Sequence, residues 1–120
     1  MFILDLSFRQ TVPIVFFIFF SQLKADESLK KLTPFLSQHC FSCHGKDKQK
    51  GDIRLDTLGR DLNKHENLEI WQGVLDQLNL GEMPPKKQPQ PTISETKPII
   101  DTLSKTLNAV SYTHLTLPTN

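Results

Sequence analysis

The chain has 120 residues, of which 38% are apolar and 22% charged, a balance typical of one ordinary globular domain rather than a disordered chain. Its 14 Lys and Arg side chains nearly cancel its 13 Asp and Glu side chains, and a net charge of +1 argues against a nucleic-acid binder. Two cysteines are too few for a disulfide-rich scaffold or for a zinc site of four thiolates.

Residues 1–25 have the pattern of an export signal. Arg9 precedes the uncharged stretch 12–20. This stretch is shorter than the roughly 20 apolar residues that span a bilayer, but it has the length of a signal-peptide core. Ala25 offers a small residue at the cleavage point. We therefore predict a periplasmic or secreted protein with no stable membrane span after cleavage; a buried helix or a short membrane anchor is the alternative for this segment.

Two helices are predicted in the first part of the remaining chain. One lies near residues 29–43, where Pro34 either occupies the first helical position behind Thr33 as cap or kinks the helix. The other lies near residues 68–79, with its apolar side chains on one face. Gly81 directly follows that pattern and is a natural helix stop.

A third helix is predicted near residues 94–110. Thr92 and Glu95 have the spacing of a capping box ahead of it. Between the second and third helices, residues 83–91 contain four prolines. This composition predicts a stiff, extended and non-helical connection.

The clearest motif is C-x-x-C-H at residues 40–44, the signature of c-type haem attachment. Cys40 and Cys43 lie on one helical turn, where each thiol can add to one haem vinyl group, and His44 then supplies the proximal nitrogen to the iron. A thioredoxin-like pair, a zinc site and a structural disulfide are the alternatives. They are disfavoured because no βαβ pattern is visible, no H-x3–5-H pair follows, and a disulfide across this spacing is strained.

Met83 is the predicted sixth ligand of the iron. Apart from the initiator it is the only methionine, and two prolines follow it. A thioether sulfur is a soft ligand that favours ferrous iron and raises the reduction potential. Met83 could instead fill a gap in the core, and His65 is the rival ligand. His39 is interpreted as a surface or capping residue.

In register, these motifs resemble the planctomycete-type cytochrome c domain, a small branch of the class I cytochromes c. The matching segments are CFSCHG at 40–45, KGDIRLD at 50–56, Trp71, and GEMPP at 81–85. The resemblance implies an all-α fold with about three helices and long loops around one covalently attached haem c. It also implies that the domain is the N-terminal module of a longer secreted protein, so that further domains are missing here.

The resemblance also implies roles for three other residues. Arg54 would direct its guanidinium at a haem propionate, and the alternative is an exposed ion pair with Asp52 or Asp56. Trp71 would pack near the haem or a propionate, although any core tryptophan at this spacing would look the same. Gly45 would relieve crowding beside the proximal histidine.

The predicted function is one-electron transfer between this haem, with His44 and Met83 as axial ligands, and a redox partner protein. The alternatives are an electron-entry or catalytic module of a larger oxidoreductase, peroxidase-like or gas-binding if the sixth site opens. No catalytic set stands out, so an electron-transfer domain is favoured over a catalyst by itself. Two lysine groups, Lys46/Lys48/Lys50 and Lys86/Lys87, either steer an acidic partner or simply solubilise two loops.

The last segment, residues 111–120, shows no helical period and no link to the pattern before it. We predict that it is a disordered or non-native tail. The predicted haem domain is therefore residues 26–110.

Overall fold

The structure, a computed structural model, describes residues 24–115 and the side chains of residues 24–111. Residues 1–23, which contain most of the predicted export signal, and residues 116–120 of the predicted tail lie outside this range. The predictions that concern those two segments therefore stay predictions.

The described chain is all-α, as the sequence predicts. It contains helical residues 24–30 (α1), α2 at Thr33–His39, α3 at His65–Leu80 and α4 at Ile93–Leu115, with a short 3-10 turn at Lys50–Asp52. Residues 24–115 contain no β-strand. None of the helices in this range combines the length and the apolar character needed to cross a bilayer.

Pro34 divides the first predicted helix into two. Proline has no backbone N–H, and its ring collides with the carbonyl four residues earlier, so a straight helix cannot pass through it. α1 accordingly ends at residue 30, a turn follows at residues 31–32, and α2 begins at Thr33, with Pro34 in the first turn and Leu32, rather than Thr33, at the cap position. α2 ends at His39, so the C-x-x-C-H motif follows the helix instead of lying inside it.

α3 ends where the sequence predicts. Gly81 adopts the left-handed conformation, with φ 65° and ψ 25°. Its N–H donates to the Leu78 carbonyl at 3.2 Å, and the Glu82 N–H donates to the Gln77 carbonyl at 3.1 Å. These two bonds form the Schellman arrangement, which satisfies carbonyls at the helix end and turns the chain away from the helix axis.

The capping box at the start of α4 is also present. The Thr92 N–H donates to Glu95 Oε2 at 2.7 Å, and the Glu95 N–H donates to Thr92 Oγ1 at 3.3 Å. The bond from the Thr92 N–H, and after it a bond from the Thr92 hydroxyl to the same Glu95 Oε2 at 2.7 Å, lower the pKa of Glu95 below its usual value. α4 continues to Leu115, beyond the predicted end at residue 110, and so includes the first half of the predicted tail.

α3 and α4 pack against each other and form the core with α1, α2 and the loop ahead of α3. The buried core consists of Leu29, Leu32, Phe35, Leu36, Leu62, Trp71, Leu75, Leu78, Leu103 and Leu107. Cys40 and Phe41 pack against it from the edge. The first part of the motif is therefore packed against the hydrophobic core.

Candidate functional site

The C-x-x-C-H motif forms one tight turn after α2. The Cys40 N–H donates to the Leu36 carbonyl at 2.8 Å, and the Cys40 carbonyl accepts the N–H groups of Cys43 at 3.1 Å and His44 at 2.9 Å. Both cysteines are half-buried and neither forms a disulfide. The turn therefore brings the three predicted attachment and ligand residues together.

The loop after the motif folds back onto it. The Lys50 N–H donates to the Cys43 carbonyl at 3.0 Å, and the Leu55 N–H donates to the His44 carbonyl at 2.8 Å. A β-bridge pairs His44 with Gln49. Backbone bonds alone thus bring the segment that contains Arg54 and Leu55 beside His44.

The His44 imidazole lacks an internal partner. Its Nδ1 atom is buried, and no hydrogen-bond partner is found for it among the described residues. A buried polar atom without a partner costs free energy, so such an atom in a native protein calls for an explanation. A ring that is not engaged within the protein is suited to bind a metal ion.

Cys40 does not have the electronic character of a redox-active thiol. Its burial, together with a smaller contribution from Cys43, raises the pKa of the Cys40 thiol to about 11. Reactive cysteines of C-x-x-C oxidoreductases instead have lowered pKa values, because the thiolate is the nucleophile. The thioredoxin-like alternative is therefore disfavoured by the raised pKa of Cys40 as well as by the absence of strands in residues 24–115.

A zinc site is not supported by the side chains around the motif. Within the part of the chain that the structure describes, no three His, Cys, Asp or Glu side chains gather in a group that could hold a metal ion. A structural zinc site almost always uses four such ligands. An axial haem site needs only one ligand on each side of the iron, so this arrangement is compatible with haem.

Arg54 is engaged with a carboxylate. Its Nε and Nη2 atoms donate to the two carboxylate oxygens of Asp56 at 2.8 and 3.0 Å. The hydrogen bond from Arg54 is the main cause of a lowered pKa at Asp56. Of the two ion pairs that the sequence left open, the structure contains the one with Asp56. The propionate role of Arg54 stays a prediction, and its remaining N–H groups are available for it.

Trp71 is a core residue whose only polar atom is already used. The side chain is 2% exposed, and its Nε1–H donates to the Gly59 carbonyl at 2.9 Å. Indole has no other donor, so this bond leaves none for a haem propionate. The predicted packing of Trp71 near the haem stays a prediction. What the structure adds is that Trp71 ties α3 to the loop in front of it.

The candidates for the sixth ligand lie in different surroundings. Met83 follows the turn at Gly81, and its side chain is 39% exposed, so it is not a filler of the core. His65 begins α3, with a side chain 83% exposed, and its Nε2 lies 3.1 Å from a carboxylate oxygen of Glu69. His39 is half-buried, with its ring centroid 4.8 Å from that of Phe35. No hydrogen bond or ion pair in residues 24–111 links residues 82–91 to the motif.

The proline-rich segment is non-helical as predicted, but it is not extended throughout. The Gln88 N–H donates to the Pro85 carbonyl at 2.8 Å and closes a turn. The Gln90 side-chain Nε2 donates to the carbonyls of Pro84, Pro85 and Gln88 at 3.1, 2.9 and 2.9 Å. The prediction of an extended segment is therefore wrong. Proline lacks an N–H group but keeps its carbonyl, so a side-chain donor can still bond to the segment and fold it into a turn. Sequence reasoning missed Gln90, and no motif marks it.

One known protein family is similar to the part of the chain that contains this geometry. The family model Planctomycete cytochrome C matches residues 40–87, a segment that begins at the first cysteine of the motif and includes Met83. Comparison with curated proteins and with solved structures gives no significant match. The resemblance inferred from the sequence is confirmed over residues 40–87, where the chain is similar to planctomycete-type cytochrome c domains.

Gly45 provides a test of the packing around the motif. A β-carbon at this buried position would overlap the Phe41 carbonyl oxygen, whereas one at Gly73 would have no atom within 4 Å. We expect Gly45→Ala to lower the free energy of unfolding by about 1–3 kcal/mol, the usual cost of overpacking. Gly73→Ala, in the middle of α3, should be neutral or stabilising by up to about 1 kcal/mol. Urea unfolding followed by circular dichroism measures both, and equal effects of the two variants would contradict this account.

Proposed function

We propose that this domain is exported and transfers single electrons through one haem c, attached by Cys40 and Cys43 and ligated by His44 and Met83. The family match supports haem binding and electron transfer in general. The single observation that carries the specific assignment is the turn of residues 40–44, in which two free cysteines lie one turn from an imidazole whose buried Nδ1 has no partner.

The two cysteines are suited to covalent attachment. In thioether formation, the sulfur and the hydrogen of a thiol add across a vinyl double bond, so that nothing leaves and no oxidant is needed. A raised pKa keeps Cys40 protonated at neutral pH, which preserves both atoms of the thiol that the addition uses. When bound, the haem supplies an iron that cycles between its ferrous and ferric states.

The assignment of Met83 as a ligand is supported by the exposure of its side chain and by its position in the chain. The side chain is partly exposed, although methionine is an apolar residue that normally fills cores. It lies just after the fixed end of α3, in the segment that the family model includes. A half-exposed thioether on a structured loop is available to a metal, and iron with His and Met ligands has a raised reduction potential.

The lysines near the motif support an acidic redox partner. Lys46, Lys48 and Lys50 are exposed and form no ion pair with any described residue, and backbone bonds of Lys48 and Lys50 tie their loop to the motif. Positive charge close to the redox centre raises the rate of association with a negatively charged molecule. Lys86 and Lys87 carry the same charge into the loop after Met83.

Covalent attachment is tested by the double variant Cys40→Ala/Cys43→Ala. The chain is produced with residues 1–25 in a host that has haem-attachment machinery, and haem staining of a denaturing gel measures covalent haem. The unaltered chain should retain haem in the gel and be recovered from the periplasm, whereas the double variant should lose all staining. Haem that persists in the double variant would overturn the attachment sites, and an unstained wild type beside a stained control cytochrome would overturn haem binding.

The sixth ligand is tested by Met83→Ala. We expect the wild type to be low-spin, with a reduced spectrum that carbon monoxide barely changes, because a bound thioether occupies the distal position. Met83→Ala should keep its haem but become open to carbon monoxide, whereas His65→Ala should behave like the wild type. An unchanged spectrum of Met83→Ala would contradict the assignment. A wild type that binds carbon monoxide readily would favour the peroxidase-like or gas-binding alternative.

The role of Lys46, Lys48 and Lys50 is tested with ferricyanide, a small redox reagent that carries negative charge. Oxidation of the reduced protein by ferricyanide should slow several-fold in Lys46→Gln/Lys48→Gln/Lys50→Gln and lose part of its dependence on salt, since charge steering is screened by ions. A triple variant of equal net charge, with the exposed Lys30, Lys31 and Lys105 changed to Gln, should react nearly as the wild type does. Equal slowing by both triple variants would show that only net charge matters and would refute the local surface.

A further inference from the structure

The loop that carries Met83 lies between two fixed ends. It begins after Gly81, whose backbone bonds close α3, and it ends at Thr92, whose reciprocal bonds with Glu95 start α4. Within residues 82–91 the chain has four prolines, which lack N–H groups and so cannot form the backbone bonds that hold most loops. The one backbone bond within residues 82–91, from the Gln88 N–H to the Pro85 carbonyl, closes only a short turn, so a further donor is needed to fix the path of the loop.

Gln90 supplies that donor. Its side-chain amide has two hydrogens, which it directs at three carbonyls, those of Pro84, Pro85 and Gln88, at 2.9–3.1 Å. The first of these carbonyls belongs to the residue directly after Met83, and Pro84 itself is buried. The amide thus links three residues of the loop through one side chain and fixes the backbone on the C-terminal side of the methionine.

We propose that Gln90 is a positioning residue for the axial methionine: by holding the loop closed, it keeps the Met83 sulfur on the iron. This inference rests on the proposed ligation by Met83. An intramolecular hydrogen bond makes a modest net contribution to the stability of the structure that it holds. The loss of two such bonds from one amide corresponds to about a tenfold change in the ratio of closed to open loop. An external ligand that competes with Met83 for the iron should report that change directly.

The experiment is an imidazole titration of the ferric holoprotein, followed by its visible spectrum. Gln90→Ala should raise the affinity for imidazole about tenfold. Gln90→Glu should raise it at least as much, because a carboxylate has no N–H to donate and repels the carbonyl oxygens. Gln88→Ala is the matched control: it removes the same side chain from the same loop, yet Gln88 contributes only its backbone to the bonds described. It should stay within about twofold of the wild type.

A rescue variant separates positioning from general damage. The ammonium group of Gln90→Lys has three N–H donors for the same three carbonyls and should keep an affinity close to the wild type. Far-UV circular dichroism and haem staining are measured for every variant. If Gln90→Ala does not acquire haem, the proposal is tested by comparing the imidazole affinities of Gln90→Lys and Gln90→Glu. Equal affinities for these two variants would overturn the proposal.

The same titration in the Met83→Ala background shows whether Gln90 acts through the methionine. There, Gln90→Ala should have no further effect, because no thioether remains to be held. A tenfold effect that persists without Met83 would overturn the proposal, since Gln90 would then control access to the iron in general.

Failure of the positioning role is distinguishable from failure of the ligand assignment. If Met83→Ala binds imidazole no more tightly than the wild type does, the sixth ligand is not Met83, and the proposed function and this inference both fall. If Met83→Ala binds it more tightly but Gln90→Ala does not, the ligand assignment stands and only the role of Gln90 is refuted.

Discussion

The site depends on one backbone carbonyl. The oxygen of Cys40 accepts the N–H groups of both Cys43 and His44, and this closes the turn that brings two thiols and an imidazole together. The turn follows directly from α2, since the Cys40 N–H still bonds to Leu36, and Cys40 packs against the core. Because backbone bonds and core packing form this frame, the side chains of the motif do not have to hold it themselves. Both thiols and the buried Nδ1 of the imidazole therefore stay unengaged within the described chain.

The two loops beside this frame are held by different means. The loop after His44 has ordinary residues and is fixed by backbone bonds to Cys43 and His44. The loop after Met83 is rich in proline, so its carbonyls have few backbone donors nearby, and the amide of Gln90 takes their place. A loop held chiefly by one side chain can open more easily than one held by several backbone bonds.

Several local features could be predicted from the sequence because each is formed by residues close together in the chain. The C-x-x-C-H turn, the helix stop at Gly81 and the capping box at Thr92 all involve bonds across five residues or fewer. The sequence does not decide the break before α2, since Pro34 permits either a new helix start or a kink. Helix ends were predicted less well than helix positions: α3 begins three residues earlier than expected, and α4 extends five residues further.

The sequence alone thus determined the C-x-x-C-H motif, the single candidate methionine, the all-α pattern and the resemblance to one family of cytochromes. Only the tertiary structure decided which partners the polar groups take. It paired Arg54 with Asp56, gave the Trp71 N–H to Gly59 and brought three carbonyls to Gln90. The physical reason is that a residue type fixes how many hydrogen bonds a side chain can make, whereas the partners depend on which groups the folded backbone brings within about 3 Å.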